Sequence, residues 1–130
     1  HTGTLVQHAA YRVVTSPDYA QHLADVRERY AAQAAVMLDA LAQSMPNGVH
    51  WVAPVGGMFV WLTLPAQINA MELFNAAVER KAGKVAFVPG APFYHDAGEP
   101  NTLRLSFVTV PPAKIRAGIA ALGELIAARI

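Results

Sequence analysis

The sequence contains no cysteine, so disulfide bonds and thiolate metal sites are both excluded. Charged residues make up only 15% of the 130 residues, against about 25% in a typical soluble protein. The hydrophobic share is 54%, and this balance predicts that part of the outer surface is apolar and packs against another body. The net charge of +1 and the lack of a basic run argue against nucleic acid as a direct partner.

Long apolar runs are also missing from the sequence. No stretch approaches the roughly 20 apolar residues of a membrane span, and no signal-peptide pattern opens the chain. We therefore expect a cytoplasmic protein that has no membrane partner. The chain starts at His1 instead of methionine, which indicates a piece of a longer protein, of which it forms about one domain.

The order of helix and strand signals predicts an α+β fold. Apolar residues at steps of three and four predict one long helix over residues 16–46, about 40 Å long at about 1.5 Å per residue. Such a helix bridges two bodies, lies along an interface or is a long core helix, and the sequence leaves these alternatives open. The other predicted elements, in chain order, are a short helix over 4–14, strands over 49–53 and 58–64, a helix from Asn69 to near Gly83, strands over 85–88 and 102–107, and a helix from Pro111.

This layout places the helices on one side of a small sheet. It predicts a two-layer sandwich of a small, mainly antiparallel sheet with helices on one face, preceded by the long linking helix. The strand over 58–64 is apolar on both faces, which predicts a central or doubly covered position. Helix starts are predicted at Ser16-Pro17-Asp18 and at Asn69, which forms a capping box with Glu72.

Arg104 is the most informative single residue. It lies on the opposite side of its strand from Leu103 and Leu105, because successive side chains alternate. A guanidinium held on a rigid strand can give two parallel hydrogen bonds to a carboxylate. An arginine on the open face of a half-exposed sheet also needs no ligand. The long loop over 89–101 in front of the strand favours a functional role.

No other chemical motif stands out from the sequence. The five histidines lack the spacing of a helical zinc site, and only His95-Asp96 lies in the long loop. None of the three serines has the Gly-x-Ser-x-Gly setting of a hydrolase. Gly56-Gly57 reads as a tight turn, since the rest of a phosphate-binding motif does not follow it. The sequence therefore predicts no metal site.

Three motifs resemble the C-terminal small domain of class I/II aminotransferases, which are fold type I pyridoxal phosphate enzymes. They are GGMFVWLTLP at 56–65, VAFVPG at 85–90 and NTLRLSF at 101–107. The likeness is strongest to the α-aminoadipate and kynurenine aminotransferase branch. It implies that residues 1–15 end a large domain and that residues 16–130 are the small domain, with its linking helix over 16–46.

The resemblance also implies roles for individual residues. Arg104 would bind the α-carboxylate of the substrate, and Phe59 would border the entrance through which the substrate arrives. The loop that carries Phe93 and Tyr94 would help to shape the pocket for the substrate side chain. The whole protein is expected to act on an amino acid and a 2-oxo acid, to pair this domain with its own large domain and to form a homodimer.

The resemblance further implies what this chain lacks. None of the three lysines has the neighbours of the family's Schiff-base lysine. The residues that bind pyridoxal phosphate belong mainly to the large domain. This chain therefore holds no expected catalytic or cofactor-binding residue, and we expect it to be inactive alone.

Two other functions stay open. The motifs also resemble the effector-sensing half of transcription regulators that join a winged-helix head of the GntR type to an aminotransferase-like body, although the full motifs look closer to the enzymes. A free-standing α+β binding module is the third possibility, and the low charged fraction, typical of a surface that a partner covers, argues against it.

Overall fold

A computed structural model describes residues 2–80, 85–96 and 98–130. These residues form four α-helices, four short strands and one 3-10 helix. In chain order they are α1 (Thr4–Val14), α2 (Tyr19–Ser44), β1 (His50–Trp51), β2 (Phe59–Thr63), α3 (Ala70–Glu79), β3 (Val88–Pro89), the 3-10 helix (Ala91–Phe93), β4 (Thr102–Ser106) and α4 (Pro112–Ala127).

The four strands form one antiparallel sheet in the order β1-β2-β4-β3. At its centre Trp61 of β2 lies opposite Arg104 of β4, and Val88 of β3 flanks Arg104 on the other side. Side-chain alternation then gives the sheet two unlike faces. The core face carries Val60, Leu62, Leu103 and Leu105, and the open face carries Phe59, Trp61, Thr63, Val88, Thr102, Arg104 and Ser106.

Helices α2, α3 and α4 form the second layer, and the hydrophobic core lies between them and the core face. On α4, the helix predicted from Pro111, the apolar residues at steps of three and four are buried, each at most 3% exposed: Ile115, Ile119, Leu122 and Ile126. These side chains belong to the same cluster as Leu62 and Leu103. The predicted two-layer α+β sandwich is confirmed.

The long predicted helix is present, with shorter bounds and an uneven environment. It begins at Tyr19, and residues 16–18 form a bend and a turn before it. The Ser16 hydroxyl accepts the Asp18 N–H at 3.3 Å within this turn, and Asp18, which precedes the helix, makes no side-chain capping bond. Within α2 the first buried residue is Met37, and α1 has no buried residue at all. Only the C-terminal part of α2 therefore joins the core.

Two edge strands are shorter than predicted. The strand expected over 49–53 pairs only through its two residues in β1, and Val52 beyond it is 82% exposed. The strand expected over 85–88 pairs only at Val88 and Pro89. β2 is central as predicted, but it is not covered on both sides, since Phe59 on the open face is 38% exposed.

The Asn69 half of the predicted capping box on α3 is confirmed, because its side chain accepts the N–H groups of Met71 and Glu72 at 2.9 and 3.3 Å. Among the hydrogen bonds of the described residues there is no return bond from the Asn69 N–H to the Glu72 carboxylate, so the box is only half formed. The helix ends at Glu79, and Gly83, where its end was expected, lies outside the described residues. In the described ranges no helix is both long and apolar enough to cross a membrane.

Helices α2 and α4 approach each other closely at Gly123. A Cβ atom on this buried residue would lie 2.1 Å from the carbonyl oxygen of Ser44 and 3.0 Å from its carbonyl carbon. Gly118 lies on the same helix, but a Cβ there would meet Val85 at an ordinary 3.6 Å. The helix pair therefore requires glycine at 123 and not at 118.

We expect Gly123→Ala to lower the free energy of unfolding by about 1–3 kcal/mol, because the backbone of Ser44 would have to move. Gly118→Ala is the matched control and should hold or raise stability by about 0.5–1 kcal/mol, since alanine favours the helix. Urea unfolding of both variants measures this difference. Equal stability of the two would contradict the close approach.

A second link between α2 and α4 is an ion pair. Arg116 donates a hydrogen bond to the Asp39 carboxylate, and Gln43 donates another at 2.7 Å. These two hydrogen bonds, with that from Arg116 first, lower the pKa of Asp39. The ionised carboxylate is therefore favoured by the fold.

The lowered pKa of Asp39 makes the stability of the fold depend on pH, with a sign that follows from the direction of the shift. The stabilisation is complete above the unfolded-state pKa of about 3.9 and is lost as the pH falls through the lower folded-state pKa. We expect Asp39→Asn to be less stable than the wild type at neutral pH, with the difference shrinking below about pH 4. Urea midpoints across this range measure it, with Asp25→Asn on the same helix as control. A pH-independent difference would contradict the assignment.

Candidate functional site

Arg104 lies at the centre of the open face and is half-buried. Its guanidinium carbon is 4.0 Å from the ring centroid of Phe59 and 4.5 Å from that of Phe93. Phe59 comes from the neighbouring strand β2, whereas Phe93 comes from the 3-10 helix in the long loop. The two rings thus make cation–π contacts with one guanidinium.

Two further aromatic residues join this contact. The Trp61 ring meets the Phe93 ring edge to face, with centroids 5.7 Å apart and planes at 82°. It also meets Tyr94, with centroids 6.1 Å apart and planes at 62°. We call Phe59, Trp61, Phe93 and Tyr94 the aromatic cluster.

One backbone and one side-chain hydrogen bond tie the long loop to the strand that carries Arg104. The Gly90 N–H donates to the carbonyl of Thr102 at 2.7 Å, and the Thr102 hydroxyl donates to the carbonyl of Glu99 at 2.9 Å. Both ends of the loop therefore meet at Thr102, which is fully buried. Gly90 is required here, because a Cβ atom would lie 2.1 Å from the Thr102 hydroxyl oxygen.

Asn101 joins β4 to the end of β2. Its side chain donates to the Leu64 carbonyl at 2.6 Å, and its own carbonyl accepts the Leu64 N–H at 2.8 Å. The Ala70 N–H donates to the carbonyl of Pro100 at 2.7 Å. These hydrogen bonds fix the position of β4 relative to the end of β2, three residues before Arg104.

The open face can bind an anion. The ion pairs found across residues 2–80, 85–96 and 98–130 are Arg80–Glu124, His95–Asp96 and Arg116–Asp39. None of them includes Arg104, and within the same ranges its guanidinium donates no hydrogen bond to a protein acceptor. Aromatic rings do not replace a carboxylate as hydrogen-bond acceptor, so the N–H groups of Arg104 can donate to a planar anion.

The structure brings together Arg104 and Phe59, the two predicted substrate-binding residues, and it places Phe93, from the loop expected to shape the pocket, against the same guanidinium. Tyr94 joins through Trp61. His95 and Asp96 lie 3.8 Å apart with side chains 99% and 85% exposed. Over the described ranges no three His, Asp or Glu side chains cluster closely enough to hold a metal ion.

Sequence reasoning missed Trp61, which it treated only as an apolar strand residue. Residues 59 and 61 have the same parity on their strand, so they were bound to share a face. Whether Arg104 lies on the same face depends on the register between β2 and β4, and this register is visible only in the structure.

The sequence matches the family model described as Aminotransferase class I and II over residues 2–122. It is 42% identical over 125 residues to aromatic-amino-acid aminotransferase 1 of Thermococcus litoralis, a match that covers 96% of this chain and 29% of that protein. It is 27% identical over 125 residues to the uncharacterised HTH-type transcriptional regulator YdfD of Bacillus subtilis, covering 96% of this chain and 25% of that protein.

Solved structures agree with these matches. The fold is similar to that of LysN, an α-aminoadipate aminotransferase of Thermus thermophilus complexed with N-(5'-phosphopyridoxyl)-L-leucine, with a TM-score of 0.88, 38% identity and coverage of 98% of this chain and 32% of that one. It is similar to a kynurenine aminotransferase of Pyrococcus horikoshii, with a TM-score of 0.85, 38% identity and coverage of 93% and 29%. The chain thus spans about 30% of the length of these aminotransferase relatives.

We expect Gly90→Ala to push the loop away from β4 and to cost about 1–3 kcal/mol of stability, because the new methyl group overlaps Thr102. Gly56→Ala is the control, since a Cβ at position 56 meets nothing within 4 Å. Urea unfolding gives the stability, and near-ultraviolet circular dichroism reports the packing of the aromatic cluster. A Gly90→Ala variant equal to wild type in both would contradict the proposed anchor.

Proposed function

The chain belongs to the class I and II aminotransferases, and from this premise we propose that it is the small domain of a larger pyridoxal phosphate-dependent aminotransferase. The family resemblance found in the three sequence motifs is confirmed. The proposed reaction transfers an amino group between an amino acid and a 2-oxo acid. Within it, Arg104 binds the α-carboxylate of the substrate.

The observation that carries this proposal is the setting of Arg104. Its guanidinium is held on a central strand, contacts two rings and has no carboxylate partner among the described ion pairs. A planar carboxylate can accept two parallel hydrogen bonds from such a group. The strand and the rings restrict its motion, so less freedom is lost when the substrate binds.

The rings also change the strength of the interaction. Phe59 and Phe93 replace water beside the guanidinium, which lowers the local dielectric constant and strengthens its attraction for an anion. A substrate that is fixed through its carboxylate presents its α-carbon in one orientation. This chain would therefore contribute substrate binding and orientation to the reaction.

The described residues do not fit the cofactor itself. Pyridoxal phosphate supplies the electron sink of transamination and needs a lysine amine for attachment. Lys114 is exposed on α4, on a different element from Arg104 and its aromatic contacts, while Lys81 and Lys84 lie outside the described residues. We propose that the cofactor is bound mainly by a large domain and that this chain alone does not transaminate.

The surface of α1 supports such a large domain as partner. Helix α1 carries exposed apolar side chains, with Leu5 83% and Val6 61% exposed. Burying such side chains is favourable at roughly 25 cal/mol per Å². The division into residues 1–15 and 16–130 and the homodimer are part of the same proposal.

A second candidate function is the effector-binding half of a transcription regulator. The similarity to YdfD over 96% of the chain favours it, although the identity is lower than for the enzymes. If this chain is part of such a regulator, Arg104 would bind an anionic effector and no reaction would follow. The gene sequence upstream of residue 1 separates the two: a Schiff-base lysine without a winged-helix head supports the enzyme.

In the complete enzyme we expect Arg104→Ala to lower kcat/KM for an amino acid by about 2–5 kcal/mol of transition-state stabilisation, as when one partner of a bonded charge pair is lost. Arg104→Lys should be intermediate, because an ammonium lacks the planar fork. Steady-state kinetics measures both effects. Arg116→Ala, which breaks the ion pair on the helices, is the control and should leave kcat/KM near the wild-type value.

The carboxylate assignment is wrong if Arg104→Ala keeps the wild-type kcat/KM. A loss equal to that of Arg116→Ala would also count against it, since it would reflect the stability of the fold alone. An amine that lacks the carboxylate provides a further check: its turnover should not depend on Arg104.

A further inference from the structure

We propose that Trp61 is a positioning residue for Arg104 and acts through Phe93. The inference rests on the proposed function, since it deepens the account of the same site. Trp61 is the cross-strand partner of Arg104, yet the rings found over the guanidinium are those of Phe59 and Phe93. The Trp61 ring contacts the Phe93 ring, which in turn lies over the guanidinium, so Trp61 can act on Arg104 through Phe93.

The tip of the long loop needs such a support. Among the described residues, the hydrogen bonds at the tip are internal: the Phe93 N–H donates to the Gly90 carbonyl and the Tyr94 N–H to the Ala91 carbonyl. The 3-10 helix has no buried residue, and Phe93 is 50% exposed. The bonds that tie the loop to β4 involve its two ends, at Gly90 and Glu99.

The Trp61 ring supplies the missing contact on the sheet side. It stands on the rigid central strand β2 and meets both Phe93 and Tyr94 edge to face. Edge-to-face pairs at these distances are favourable beyond their buried area. Trp61 therefore holds the Phe93 ring in the place where it contacts the guanidinium.

The consequence concerns substrate binding more than the chemical step. Without Trp61 the loop tip would leave the guanidinium with one ring contact and more rotational freedom, which binding must then remove. We expect the KM for the amino acid to rise roughly 3- to 30-fold, the range that a partly desolvated cation–π contact gives. The kcat should stay within about twofold, because binding is lost equally in ground and transition states.

The first experiment uses NMR on this chain and needs neither cofactor nor substrate. Protons above an aromatic ring are shifted upfield, so the Arg104 side-chain resonances report the rings over them. We expect Trp61→Leu to remove most of the shift that Phe93 causes and Trp61→Phe to keep much of it. Trp51→Leu is the matched control, because Trp51 lies opposite Leu62 and packs on the core instead.

The outcome decides the structural part of the inference. An Arg104 shift that is unchanged in Trp61→Leu overturns it. An equal loss in Trp51→Leu and Trp61→Leu overturns it too, since the cause would then be a general loosening of the sheet. Retention of the shift in Trp61→Phe and its loss in Trp61→Leu supports it, even if the leucine variant is less stable.

The second experiment measures KM and kcat in the complete enzyme for Trp61→Leu alone and combined with Arg104→Lys. We expect the 3- to 30-fold rise in KM for the single variant and a much smaller one in the Arg104→Lys background, because the two residues act together. Trp61→Phe should restore KM.

The kinetic results separate the two levels of the proposal. If Arg104→Ala raises KM and Trp61→Leu does not, the positioning role is wrong and the proposed function stands. If Arg104→Ala has no effect, the proposed function is wrong, and the NMR comparison still decides whether Trp61 orders the guanidinium.

Discussion

The pairing of β2 with β4 determines which side chains share a face of the sheet. In the observed register Val60 and Leu62 lie beside Leu105 and Leu103, and all four are buried under the helices. A slip by one residue would turn β4 over relative to β2 and place the Arg104 charge in the core, at a high desolvation cost. The register of β2 with β4 thus determines both which residues form the hydrophobic core and where the guanidinium lies.

The helical layer makes this register durable. Gly123 allows α4 to lie close to the end of α2, and the Asp39–Arg116 ion pair joins the same two helices near the start of α4. Arg80 at the end of α3 donates to the Ala121 carbonyl and pairs with Glu124. Because these contacts hold the helices together, the core face of the sheet packs on a rigid layer. The same strands carry the open face, so its side chains stand on a rigid backbone.

Sequence patterns predicted the layers well and the contacts at the site poorly. The stripe of α4, the Asn69 cap and the central place of β2 follow from local periodicity and capping chemistry. Arg104 was singled out by its place on a predicted strand and Phe59 by the family resemblance, and the roles of both stay predictions. The contact of Phe93 and Trp61 with this site could not be read, because it depends on strand register and on a loop returning across the sheet. The edge strands were overestimated, since apolar runs do not reveal where pairing ends.

The convergence of both loop ends on Thr102 has a consequence for how such a domain can diversify. The segment from Gly90 to Glu99 leaves the sheet and returns to it at the same residue. The residues between these two ends can change in number or type without altering the path of β4, because the hydrogen bonds that close the loop involve only its ends. A lineage could therefore exchange the residues facing its ligand while it inherits the charged anchor unchanged.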